Sequence, residues 1–172
     1  MKQNALKFFA SGAFISYLPT AILKNKKNTG AGLLGSIEAF LVYILFGPIS
    51  LWAYLFLLIG IILFATYVSQ KVQFEGVEDN PKIVIDEIAG FFVAAAFLPY
   101  SLKTAIFALI LFRIFDTTKL AFIKKAENFA AKLSQETRKK YCLKGTEIVL
   151  DDVLAGICAN LILWILFFCK IL

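Results

Sequence analysis

The chain has 172 residues, 60% of them hydrophobic, 15% aromatic and only 17% charged, with a mean hydropathy of +0.78. That length suits one domain, but a soluble domain is nearer half apolar and a quarter charged. An ordinary cytosolic enzyme and a disordered chain are both excluded, and much of the apolar surplus must face lipid. The net charge of +6 then reads as a topology signal, not a nucleic-acid footprint. With no histidine, His-based catalysis and His-ligated metals are ruled out. Cys142, Cys158 and Cys169 are an odd number in no ligand spacing, so neither a disulfide framework nor a zinc site is indicated.

In chain order, Leu6–Leu23 comes first. It is apolar but interrupted by Lys7, Ser11, Ser16, Pro19 and Thr20, so it is expected to be interfacial or re-entrant and not to span. It lacks a small-x-small cleavage site and ends in lysines, so no signal peptide is expected. Five segments then approach the length that crosses a bilayer: about Ala31–Phe46, Ile49–Val68, Ile83–Leu98, Leu102–Thr118 and Ile148–Phe168. Gly47-Pro48 and Pro99-Tyr100-Ser101 are tight turns between neighbouring spans. Lysines and arginines gather at 24–28, 69–82 and above all 117–145, where Lys119, Lys124, Lys125, Lys132, Arg138, Lys139, Lys140 and Lys144 fall. Positive loops stay in the cytoplasm, so these three loops are expected inside and the two tight turns outside. Within the last loop Phe122, Ala126, Phe129, Ala130 and Leu133 recur at helical spacing among lysines, the pattern of a basic amphipathic helix on the inner leaflet. The expected fold is an all-α, polytopic membrane bundle of about five spans, a single domain over residues 1–172.

Acids near membrane depth are costly and usually functional. Asp86 and Glu87 open the third span in Ile-Val-Ile-Asp-Glu-Ile-Ala-Gly, and Asp151 and Asp152 open the last in Ile-Val-Leu-Asp-Asp-Val-Leu-Ala-Gly. Arg113 and Asp116 close the fourth, with Lys119 one turn later. The orientation derived from the lysines places all five acids at one membrane face, which the charge count did not require. Gly90 and Gly156 follow Asp86 and Asp152 by four residues, where small residues let helices approach. So many carboxylates without histidine need a cation, and an oxygen-only donor set suits Mg²⁺ shared with a phosphate. Arg113 and Lys119 could hold phosphoryl oxygens. The competing account pairs these acids with Arg113 and nearby lysines at the interface. Other phosphatase chemistries are absent: Cys142 has Ile148 and no arginine six residues on, and Asp116-Thr117-Thr118 is not an Asp-x-Asp nucleophile motif.

Taken together, Ile83–Gly90, Phe112-Arg113-Ile114-Phe115-Asp116 with Lys119, and Leu150–Gly156 resemble the phosphatidylglycerophosphatase A family of bacterial membrane lipid phosphatases. The resemblance covers most of the chain. It implies Mg²⁺-dependent hydrolysis of phosphatidylglycerophosphate to phosphatidylglycerol in the bacterial inner membrane, with the site facing the cytoplasm. It also implies Asp86, Glu87, Asp116, Asp151 and Asp152 as catalytic carboxylates, the two doublets as metal ligands, and Asp79 as a matching loop aspartate. The family's Pro-Gly-Thr-x-Gly-Ser reads Ala31-Gly32-Leu33-Leu34-Gly35-Ser36 here, keeping Gly32, Gly35 and Ser36 as candidates to meet phosphate at a helix start. Its Lys-Pro-x-Pro reads Lys119-Leu120-Ala121-Phe122. Both departures leave room for a changed substrate. Glu38 lies outside the motif and reads either as a snorkelling charge or as an extra acid near the site. Two rivals remain: a phosphatase for another lipid phosphomonoester such as phosphatidic acid, and a small cation carrier. A carrier would need its acids at mid-membrane.

Overall fold

The computed structural model describes residues 2–23, 30–72, 82–118 and 143–172. Asp79, Lys119, Cys142 and the expected basic helix at 119–133 lie outside the described residues. Those that are described form helices and connecting turns, with no strand among them. In chain order these are α1 (Lys2–Ala10), a 3-10 turn (Ile15–Tyr17), α2 (Leu18–Leu23), α3 (Ala31–Phe46), α4 (Leu51–Lys71), α5 (Ile85–Ala94), α6 (Leu102–Thr118) and α7 (Leu143–Phe168).

The segment expected to be non-spanning is not one helix. Gly12, Ala13 and Phe14 all take left-handed backbone (φ 54°, 48° and 69°) and turn the chain between α1 and the 3-10 turn. The expected tight turns are present. Gly47 sits at φ 69° after α3, and Ser50 caps α4 by accepting a hydrogen bond from the Ala53 amide at 3.3 Å. α4 and α7 are long and apolar enough to cross a membrane. Only 17% of the apolar window of α4 is buried inside the protein, so that helix presents most of its surface outward, with Trp52, Phe56 and Leu63 all exposed.

Five full spans are not what these helices show. α3 has 16 residues, α6 has 17 and α5 only 10. At 1.5 Å per residue α5 rises about 15 Å, roughly half the hydrocarbon thickness. The third expected span is apolar because it is the centre of the bundle. Ala89, Phe91 and Ala94 have no exposed surface, and α5 packs against α3, α4, α6 and α7 at once. An apolar run buried by protein and one buried by lipid read alike in sequence.

The closest crossing joins α5 to α7. A Cβ on Gly156 would collide with the Gly90 carbonyl oxygen and Val93, and one on Gly90 would meet the Phe112 ring and the Asp152 carbonyl oxygen. The glycine pair picked out by spacing therefore sets the approach of the two acid-bearing helices. One turn further, the Asn160 side-chain amide donates to the carbonyl oxygens of Ala94 (2.9 Å) and Ala96 (2.8 Å). It thereby satisfies carbonyls that the short helix α5 leaves open at its C-terminus.

Candidate active site

Val84 is the N-cap of α5, whose first turn carries Asp86 and Glu87, where the helix dipole favours negative charge. The preceding segment is pinned from the N-terminal region. The Val84 amide donates to the Ala10 carbonyl at 2.7 Å, and Ser16 Oγ donates to the Lys82 carbonyl at 2.9 Å. The α5–α7 crossing brings in Asp152, which is almost fully buried. One carboxylate oxygen from each of Asp86, Glu87 and Asp152 lies within 4.8 Å of the others.

The end of α6 closes the group from another side. Asp116 lies near enough to Asp152 for the two carboxylates to repel each other. It also forms an ion pair at 2.7 Å with Arg113, three residues earlier on the same helix face. Arg113 Nη1 donates to Ser36 Oγ at 3.2 Å, and that hydroxyl donates to the Gly32 carbonyl at 2.9 Å. A Cβ on Gly32 would run into the Glu87 carboxylate and come within 3.3 Å of Arg113 Nη1. The first turn of α3 is thus bare where the acids and the arginine need room.

Asp86, Glu87, Asp116, Asp152, Arg113, Gly32 and Ser36, drawn from four helices, therefore meet in one place. Four further expectations change. Asp151, about 100° around α7 from Asp152, is not among the three carboxylates that converge, although one of its oxygens is buried. Gly35 packs on Val84, whose Cβ would lie 2.7 Å from an added methyl, which makes it a helix-contact residue. Ser36 has no exposed surface and holds Arg113 instead of facing outward. Glu38 does not snorkel: its Oε2 is buried and lies where a side chain on Gly12 would fall. Sequence reasoning missed Asn160; a lone amide in an apolar helix was the available signal.

The donor set can be tested for a metal from its own chemistry. Asp86 Oδ1 and Glu87 Oε2 are buried and have no hydrogen-bond partner, a state that costs free energy unless something else satisfies it. Three carboxylates as close as Asp86, Glu87 and Asp152 are need a proton or a cation among them. Among the described residues Arg113 is the positive charge paired with these acids. Oxygen-only ligands with this excess of negative charge fit a hard divalent cation such as Mg²⁺.

The profile of the family described as phosphatidylglycerophosphatase A matches residues 8–167 of the chain. A protein of Bacteroides thetaiotaomicron that carries the provisional name phosphatidylinositol-3-phosphatase is 30% identical over 137 residues, covering 76% of this chain and 76% of its own. No solved structure matches.

Proposed function

The chain belongs to the phosphatidylglycerophosphatase A family of phosphoric monoester hydrolases, and from that premise we propose that it removes the terminal phosphate of phosphatidylglycerophosphate, leaving phosphatidylglycerol. The observation that carries this reading is the convergence of Asp86, Glu87 and Asp152 beside a fixed arginine. Asp86, Glu87 and Asp152 would hold Mg²⁺, which when bound would offset the charge of the phosphoryl group and polarise it.

The chain's own residues do the rest. Arg113, fixed between Ser36 and Asp116, presents its remaining guanidinium donors to phosphoryl oxygens without first having to be ordered. Asp116, paired with Arg113 beside the other acids, is the carboxylate that would take a proton from an attacking water or return one to the leaving alkoxide. Gly32, lacking a side chain, lets the Glu87 carboxylate and Arg113 lie close against the first turn of α3. The exposed apolar faces of α4 and α7 hold this end of the bundle at a bilayer, where the acyl chains stay while the headgroup reaches the acids. In this reading the membrane is the bacterial inner membrane and the site faces the cytoplasm.

A second reading has one observation behind it. The Bacteroides relative is named for an inositol-lipid phosphate, and Ala31 and Leu33 depart from the family's own motif beside Gly32. The same machinery would then act on a bulkier headgroup. The deciding experiment offers the purified chain a panel of lipid phosphomonoesters: phosphatidylglycerophosphate, phosphatidic acid and phosphatidylinositol 3-phosphate, each with Mg²⁺ and with chelator. The proposal expects phosphatidylglycerophosphate to be hydrolysed fastest and only with metal. A preference for the inositol lipid would establish the second reading, and no release from any of them would refute both.

A further inference from the structure

An apolar cavity of about 420 Å³ opens between α3, α4 and α5, within the range of roughly 300–1,000 Å³ typical of small-molecule sites. Its wall starts at Ile88, the residue after Glu87, and runs the length of α5 past Phe92 to Leu98 and the Gly47-Pro48 turn. We propose that this cavity takes one acyl chain of the lipid whose phosphate is bound at the carboxylates, and that it sets the enzyme's chain-length preference. The inference rests on the lipid phosphatase reading above and adds a specificity site to it.

Polarity selects the occupant. Of the three tyrosines in the wall, Tyr43, Tyr54 and Tyr100, two have already spent their hydroxyls: Tyr54 donates to the Phe92 carbonyl at 2.7 Å and Tyr100 to the Ile44 carbonyl at 2.8 Å. They offer the cavity ring carbons, and a space so lined does not hold water well. Position selects the source. The near end adjoins the acids along α5 itself, so a chain tethered to a phosphate there meets this space first. Length fits as well, because the ten residues of α5 rise about 15 Å, one leaflet's hydrocarbon depth. The far end is lined by Phe97, a bulky residue held in left-handed backbone at φ 61° with its ring 5.7 Å from that of Tyr54. Such conformations cluster at ligand clamps.

Val42→Phe and Leu57→Trp would narrow the cavity from two different helices without touching the acids or Arg113. Hydrolysis is measured on a short-chain and a long-chain version of the same lipid phosphomonoester. Both variants are expected to raise KM for the long-chain substrate roughly tenfold while leaving the short-chain kcat/KM near that of the unaltered protein. An unchanged ratio of long-chain to short-chain kcat/KM in both variants overturns the cavity assignment alone. If the unaltered chain hydrolyses neither substrate, the phosphatase reading falls and takes the assignment with it. A binding readout independent of turnover uses a phosphatidic acid with a diazirine in the distal half of one acyl chain, in phosphatidylcholine vesicles containing the full chain. Adducts on Tyr43, Tyr54 or Leu98 that excess unlabelled phosphatidic acid removes would support the proposal. Adducts confined to outward residues such as Trp52 and Phe56, or cavity adducts that phosphatidylcholine removes equally well, would identify ordinary bilayer lipid and overturn it.

Discussion

Gly32 and Ser36 show how much of the site depends on residues that do no chemistry. Gly32 has no side chain because Glu87 and Arg113 occupy that volume. Gly32→Ala is therefore expected to displace one of them and cost on the order of 100-fold in phosphate release, with helix content by circular dichroism unchanged. Ser36→Ala removes the hydroxyl that orients Arg113. Loss of such an orienting partner costs roughly 10–100-fold in comparable sites, and Ser36→Thr, which keeps the hydroxyl, should recover part of that loss. If Ser36→Ala turned over at the normal rate, the placement of Arg113 by α3 would be immaterial. At this scale the acids were legible in the sequence, because charge at membrane depth is conspicuous. Which of two adjacent aspartates points inward was not. Asp151 and Asp152 are separated only by helical phase, which the crossing of α5 and α7 sets. Glu38 was ambiguous for a related reason: its partner surface, Gly12, lies in a turn that hydropathy does not reveal.

Among the elements, α5 departs furthest from what its composition suggests. The stretch from Ile83 to Leu98, apolar except for Asp86 and Glu87, reads as a span, yet the helix is 10 residues long and sheathed by four others. Periodicity could not separate the two, since a helix surrounded by protein and one surrounded by lipid are both apolar all round. The short helix leaves carbonyl groups open at its end, and Asn160 answers them. Asn160→Leu would leave the Ala94 and Ala96 carbonyls buried and unpaired at a cost of about 1–3 kcal/mol, to be read as a lowered unfolding midpoint in detergent. The Gly90–Gly156 contact is tighter still. Gly156→Leu should destabilise by about 1–3 kcal/mol or more through overpacking and, by prising α7 from α5, also reduce activity. A Gly156→Leu protein with full stability would contradict a close Gly90–Gly156 crossing. The glycines were readable from their spacing to the acids; the amide cap was not, because its partners come into reach only once the chain has folded.

The whole molecule is a helical bundle with two helices able to cross a bilayer, an acid-rich centre at one end and an apolar cavity running away from it. Its sidedness can be measured with a native reporter, Cys142, which the lysine distribution assigns to the cytoplasmic side. A membrane-impermeant maleimide should label it in inverted vesicles and miss it in sealed right-side-out cells. Labelling from outside would place the neighbouring acids on the wrong face for the orientation proposed above. The central claim is that Asp86, Glu87 and Asp152 act as one metal-holding centre for phosphoryl hydrolysis. Its most direct test is Mg²⁺-dependent phosphate release from phosphatidylglycerophosphate by Asp86→Asn and Asp152→Asn, each compared with the unaltered chain in the same vesicles. The amides preserve size while removing a charge and weakening metal ligation, so each variant should insert and fold normally and lose on the order of 100-fold or more in rate. Near-normal turnover in both variants would contradict the account.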